Sequence, residues 1–191
     1  MTKKIGVLLG DGFEEGEAVV FIDLMRRLQF DVDVISCRRD LQVDTYYGTR
    51  IMADVTIDEV YDTSYDAIMM PGGPQGTANL ASKMPVVWFI QRHIDEGKKI
   101  CALCSSGAKV LAAHGLLGGT LYSTGDGLAQ NYDDGVYVDN KVVVDGNFIS
   151  AKGLGVVFEF SLTAAVEIEP GLLERVKGMA EHIYFDHWPL K

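Results

Sequence analysis

Hydrophobic positions in this chain fall into short unbroken runs separated by stretches with helical spacing. Ile5-Gly-Val-Leu-Leu9, Asp66-Ala-Ile-Met-Met70 and Ile100-Cys-Ala-Leu103 have the length and continuity of strands buried on both faces, and Asp31-Val-Asp-Val-Ile-Ser36 reads as a further strand. Between them, apolar residues recur every three or four positions over about residues 15–28, 76–82 and 85–96, the last carrying Val86, Val87, Phe89, Ile90 and Ile94. A further helical pattern starts directly after Cys104, with Ala108, Val110, Leu111 and Ala112, and stops at Gly115. Residues 37–57, with Gly48 and several β-formers, read as a small hairpin or irregular excursion.

Beyond Gly115 the runs shorten. Leu121-Tyr-Ser-Thr124, Val136-Tyr-Val138, Val142-Val-Val144 and Phe148-Ile-Ser150 read as short strands, the later ones joined by turns at Asp139-Asn140 and Asp145-Gly146. Helices over about residues 155–167 and 171–183 close the pattern, with Pro170 near the start of the last. Strands alternating with helices predict an α/β fold, a mostly parallel sheet covered on both faces. The strand ends at Leu9, Met70 and Leu103 then share one edge, where ligand clefts form in such sheets.

Composition narrows the functional classes. With 191 residues and 48% hydrophobic content the chain can bury one full core, and no internal repeat divides it, so residues 1–191 are expected to form a single domain. Twenty-seven acidic residues against 17 basic ones give a formal charge of -10, which disfavours nucleic acid as a partner. No apolar run approaches the roughly 20 residues that span a bilayer, so no membrane partner is expected. The three cysteines, Cys37, Cys101 and Cys104, form no regular framework, and the N-terminus runs straight into a strand; both point to a reducing cytoplasm. The glycines of Gly10-Asp-Gly-Phe-Glu-Glu-Gly16 do not fit G-x-G-x-x-G, and Glu14, Glu15 and Glu17 would repel a pyrophosphate, so no dinucleotide is expected. Glu14 and Glu15 read as partners of a helix dipole. No ligand spacing suggests a metal, and no cofactor is expected.

The chemistry concentrates at Cys104. Ala102-Leu-Cys-Ser-Ser106 has small residues two positions either side of a potential nucleophile, the spacing of a nucleophile elbow at a strand-to-helix turn. A thiol there meets unpaired N–H groups and the positive end of a helix dipole, which favour the thiolate. Cys101 completes a C-x-x-C, but on a strand rising about 3.3 Å per residue the two Cα atoms stand roughly 10 Å apart, beyond the about 7 Å a disulfide tolerates. Cys101 and Cys37 are therefore assigned to the core. His93 is expected at the surface or partly packed.

Five segments together resemble the ThiJ/PfpI family over nearly the whole chain: Gly12-Phe-Glu-Glu-Gly-Glu17, Leu24-Met-Arg-Arg27, Met70-Pro-Gly-Gly73, Ala102-Leu-Cys-Ser-Ser-Gly107 and Lys152-Gly-Leu-Gly-Val-Val-Phe-Glu-Phe160. The resemblance implies a flavodoxin-like three-layer sandwich, related to class I glutamine amidotransferases, and a homodimer. It matches Cys104 to an elbow cysteine and Glu17 to a neighbouring glutamate, and it implies an oxyanion hole from the backbone N–H groups of Gly73 and Ser105. A charged Glu17 would oppose a thiolate, so it assists only when protonated, by donating a hydrogen bond to sulfur. Two departures stand out. Peptidase-like members place His after the cysteine, where this chain has Ser105, and the deglycase-like branch has a histidine where this chain has Ser123-Thr-Gly-Asp126. A Cys-His-Asp peptidase would need His93, His114, His182, His187 or a partner subunit to reach the site. Asp126 is a possible accessory group or a loop cap.

The leading expectation is a cofactor-independent enzyme in which Cys104 attacks a small reactive carbonyl, or the glycated adduct it leaves on an amine or thiol. Glu17 moves protons and water releases a hydroxyacid, as in a glyoxalase or deglycase. The rivals are a redox sensor or stress chaperone oxidised at Cys104, and a cysteine peptidase or amidohydrolase.

Overall fold

The computed structural model describes residues 2–185 and Trp188. In chain order the elements are β1 (Lys4–Leu9), α1 (Glu15–Arg27), β2 (Asp31–Ser36), β3 (Gln42–Asp44), β4 (Arg50–Met52), β5 (Val55–Thr56), α2 (Ile57–Val60), β6 (Ala67–Met70), α3 (Pro74–Ala81), α4 (Met84–Asp95) and β7 (Lys99–Leu103). After a π-helical turn (Gly107–Leu111) and a 3-10 turn (Ala112–His114) come β8 (Leu121–Tyr122), β9 (Val136–Tyr137), β10 (Val142–Asp145), β11 (Phe148–Ala151), α5 (Val157–Ile168) and α6 (Leu173–His182). No helix among the described residues is long and apolar enough to cross a membrane.

Seven strands form the central sheet in the order β10-β11-β7-β6-β1-β2-β5, all parallel except the β10–β11 pair. Each buried strand alternates its side chains between two apolar layers. Val7, Leu9, Met69, Cys101 and Leu103 pack toward α1, α5 and α6, while Leu8, Ile68, Met70, Ile100 and Ala102 pack toward α3 and α4. That two-sided burial explains why these strands read as unbroken apolar runs. Chain order reverses between β1 and β6, because β1 leads outward to β2 on one side while β6 and β7 extend the sheet on the other. A crevice opens at the carboxyl ends of strands on either side of such a reversal.

The excursion at residues 37–57 contains the β3–β4 hairpin, paired Gln42 to Met52, and its last residues add β5 to the sheet edge. His93 differs from its expected placement. It is fully buried, the Tyr65 N–H donates to its Nε2 at 3.1 Å, and its Nδ1 lies 2.8 Å from Phe89 O. Burial holds its pKa down, and this bonding pattern fits a neutral ring with the proton on Nδ1. The histidine is a core group bracing α4 against the chain ahead of β6.

Candidate active site

Cys104 follows β7 directly and has φ 59°, a left-handed conformation that a non-glycine residue rarely adopts. Three backbone contacts hold it there. Its N–H donates to Ala151 O at 2.9 Å, continuing the β7–β11 ladder, and its carbonyl accepts from Gly125 N at 3.2 Å and Thr124 Oγ1 at 2.6 Å. Ser106 Oγ bonds Leu103 O at 2.7 Å and Met70 O at 2.9 Å, tying the elbow to the end of β6. The sharp turn expected from the small residues is present.

The segment after it is not the regular helix the periodicity predicts. In an α-helix the Ala108 N–H would donate to Cys104 O. Here it donates to Thr124 Oγ1 at 3.3 Å, while that hydroxyl occupies Cys104 O. A side chain inserted into the ladder widens the turn, which continues as a π turn and ends at Gly115 in the left-handed region, φ 67°. Thr124 is therefore part of the elbow, and its long-range insertion left no signal in local sequence.

Glu17 lies on the buried stripe of α1 with Phe21, Leu24 and Met25, and is 1% exposed. Its Oε2 accepts the Gly72 N–H at 2.7 Å. Gly72 also abuts the cysteine: a Cβ added there would stand 2.6 Å from Cys104 Cβ, 2.9 Å from Glu17 Oε2 and 3.1 Å from Sγ. Only glycine leaves that volume free, so the loop after β6 brings carboxyl and thiol together. Gly125 and Gly153 approach the sulfur from the other sides, their added Cβ positions lying 3.7 and 3.5 Å from Sγ.

Burial pushes the Glu17 carboxyl from the usual 4.5 up to about 7, against the opposing hydrogen bond from Gly72. Burial likewise pushes the Cys104 thiol up to about 12, and the Glu17 charge adds to the rise, while the Ser105 N–H opposes it. The low thiol pKa expected from an elbow on a helix dipole is thus overturned for the state with Glu17 ionised, first because the sulfur is buried and then because a carboxylate faces it. With the proton on Glu17 that charge vanishes and its O–H can donate to the thiolate, so the reactive form of the pair has a neutral carboxyl.

The pair opens into a cavity of about 490 Å³ lined by Glu14, Gly73, Ser105, Lys109, Leu128, Leu154 and the Tyr46-Tyr47 turn of the β3–β4 hairpin. Glu15 secures that turn, its carboxylate accepting from Thr45 Oγ1 at 3.0 Å, Thr49 Oγ1 at 3.2 Å and the Tyr47 N–H at 3.3 Å. So Glu15 does more than complement the helix dipole. The Gly73 N–H, unlike that of Gly72, makes no internal hydrogen bond among the described residues, and Gly73 has φ 99° where it packs on Gly12 and Glu14. Gly73 and Ser105 both line the cavity.

Asp126 does not belong with them. It is exposed and pairs with Lys152 Nζ at 3.1 Å, as Asp139 does, so charge pairing on the loop's outer side turns it away. Cys101 and Cys37 are buried free thiols, as expected. None of the described histidines lines the cavity; His114 bonds Ala81 O at 3.0 Å, and His187 lies outside the described residues. Among the described residues no three His, Cys, Asp or Glu side chains converge as a metal-binding set.

Comparison with known proteins gives this geometry a context. The model of the DJ-1/PfpI family matches residues 3–167. The protein DJ-1 homolog B of Arabidopsis thaliana is 35% identical over 161 residues, 84% of this chain and 37% of that protein, so the chain spans well under half of that relative's length. The glutathione-independent glyoxalase DJR-1.2 of Caenorhabditis elegans is 32% identical over 125 residues, 64% of this chain and 65% of that protein. Among solved structures, a cysteine-to-alanine mutant of a DJ-1 superfamily protein from Salmonella typhimurium superposes with a TM-score of 0.92 at 46% identity, covering 96% of this chain and 98% of that one.

Proposed function

We propose, from the premise that this chain belongs to the DJ-1/PfpI family, that it is a cysteine-dependent, cofactor-independent enzyme acting on small reactive carbonyls in the manner of a glyoxalase or deglycase. One observation carries the reading: a buried carboxyl with a pKa of about 7 and a thiol on a strained elbow meet across Gly72. The relative named a glutathione-independent glyoxalase supports the choice of substrate class.

For a 2-oxoaldehyde the sequence runs as follows. The Cys104 thiolate forms a C–S bond to the aldehyde carbon, and the carbonyl electron pair moves to oxygen, which the N–H groups of Gly73 and Ser105 receive. Protonated Glu17 donates its proton to that oxygen, giving a neutral hemithioacetal and a carboxylate. The carboxylate then takes the proton from the former aldehyde carbon, and the neighbouring carbonyl oxygen gains the hydroxyl proton as an enediol forms. The carbon proton returns to the adjacent carbon as the first oxygen becomes the thioester carbonyl, so the hemithioacetal becomes a 2-hydroxy thioester. Water cleaves the C–S bond, releasing the 2-hydroxyacid and restoring the thiol. The net change is addition of one water, with no external oxidant or reductant.

The test is methylglyoxal consumption, with lactate quantified by NMR, for the wild type and Cys104→Ala. Catalytic lactate formation lost in the variant is the expected result, and turnover that survives the substitution overturns the reading. The same reading includes a homodimer, for which light scattering after size-exclusion chromatography is the direct measurement.

Oxidation of Cys104 forms a second reading, favoured by the open glycine cradle around Sγ and the adjacent Glu17 proton donor. It predicts peroxide-dependent mass gain at Cys104 and no aldehyde turnover. The peptidase reading loses support, since no described histidine lines the cavity.

A further inference from the structure

The cavity over Cys104 is far larger than a three-carbon aldehyde needs, and its lining is not neutral. Two carboxyl groups, Glu14 and Glu17, line it together with one cation, Lys109. Lys109 is half-buried on the π turn that follows the elbow, where its N–H donates to Ser105 O at 2.8 Å. Its ammonium makes no ion pair and no side-chain hydrogen bond among the described residues. Among the other described lysines, Lys3, Lys4, Lys99, Lys152 and Lys177 each pair with a carboxylate and Lys83 donates to Cys37 O; Lys98 and Lys141 share the lack of a partner, but neither lines the cavity. A chain with a formal charge of -10 has ample carboxylates, yet this lysine faces the cavity without one.

We infer that Lys109 is a specificity determinant that selects carbonyl substrates carrying a carboxylate, holding that group while the electrophilic carbon meets Cys104. This rests on the proposed carbonyl chemistry and names its substrate class. A single negative charge held directly by Lys109 is the most the lining accommodates, because the ammonium also stands against the Glu14 carboxyl and the thiolate, while Glu17 adds no charge in the form that frees the thiolate. A phosphate dianion would put a second negative charge beside Glu14 with no second cation among the lining residues. The apolar walls from Leu128, Leu154 and the Tyr46-Tyr47 turn leave room for the carbon chain between the two groups. The carboxylate of a 2-hydroxyacid product is held by the same contact.

The test does not require turnover. Iodoacetate and iodoacetamide alkylate the same sulfur and differ in charge, so the ratio of their rates at Cys104 cancels any effect on thiol ionisation. A merely structural role for Lys109 leaves that ratio in place. Rates are read by peptide mass spectrometry in the wild type, Lys109→Gln and Lys109→Arg at low salt. A unit charge near the reacting carbon, at intermediate effective dielectric and partly screened, gives an expected fall in the iodoacetate-to-iodoacetamide ratio of about five- to tenfold in Lys109→Gln. Lys109→Arg keeps most of the wild-type ratio. A ratio unchanged in Lys109→Gln overturns the inference. Failure of the enzyme reading registers separately, as absence of methylglyoxal turnover by the wild type with the alkylation ratio still measurable.

Discussion

Replacing Glu17 by Gln tests the central claim through stability rather than activity. The folded protein holds the Glu17 proton up to about pH 7, whereas the free carboxyl loses it near 4.5. Below pH 4.5 both states carry the proton and the buried neutral carboxyl costs nothing extra. Between pH 4.5 and 7 the folded state binds one more proton than the unfolded chain, so stability falls by about 1.4 kcal/mol per pH unit. Above about pH 7 the whole contribution, about 3 kcal/mol, is lost. Because Glu17 is 1% exposed, solvent does little to screen it. Glutamine keeps the shape, can still accept the Gly72 N–H through its carbonyl, and has no proton to lose. The Glu17→Gln protein should therefore gain about 3 kcal/mol relative to wild type between pH 4.5 and 8. Urea unfolding across that range measures it, with the difference between the two proteins cancelling groups common to both. A difference constant to within about 0.5 kcal/mol refutes the reasoning, because a buried carboxyl with a raised pKa cannot be pH-neutral.

Other consequences follow from the elbow. Cys104→Gly should be more stable than Cys104→Ala by roughly 1 kcal/mol, since φ 59° suits glycine and strains a residue with a Cβ; equal midpoints in urea would contradict the strain. Thr124→Val removes the donor to Cys104 O and the acceptor for Ala108 N–H at once, so it should cost about 1–3 kcal/mol and alter Cys104 alkylation. A variant with wild-type thermal stability and alkylation rate would show that the loop does not hold the elbow. Cys101→Ser puts a hydroxyl into an apolar layer and should cost about 1–3 kcal/mol without abolishing Cys104 reactivity. Equal loss of reactivity in a folded Cys101→Ser protein would overturn the separation of the two thiols.

The layered sheet was legible because burial on both faces leaves an unbroken apolar run that needs no knowledge of neighbours. β2 coincides with Asp31–Ser36, and α1, α3 and α4 begin and end within one or two residues of their expected bounds. The elbow was legible too, from small residues flanking Cys104. Glu17 was singled out by the family resemblance alone; its place on the buried stripe with Phe21 and Leu24 came from the structure. The strand-cysteine-turn order could thus be read from the chain alone, whereas most of the cavity lining, including Lys109 and the Tyr46-Tyr47 turn, could not. The remaining features came from tertiary contacts. Gly72 joining carboxyl to thiol, Thr124 entering the ladder from 20 residues away, Asp126 turned outward by Lys152 and His93 drawn into the core all depend on contacts between distant segments. Local periodicity records which face is buried; it carries no information about which atom meets which across the fold, and at this site the pKa values are set by those meetings.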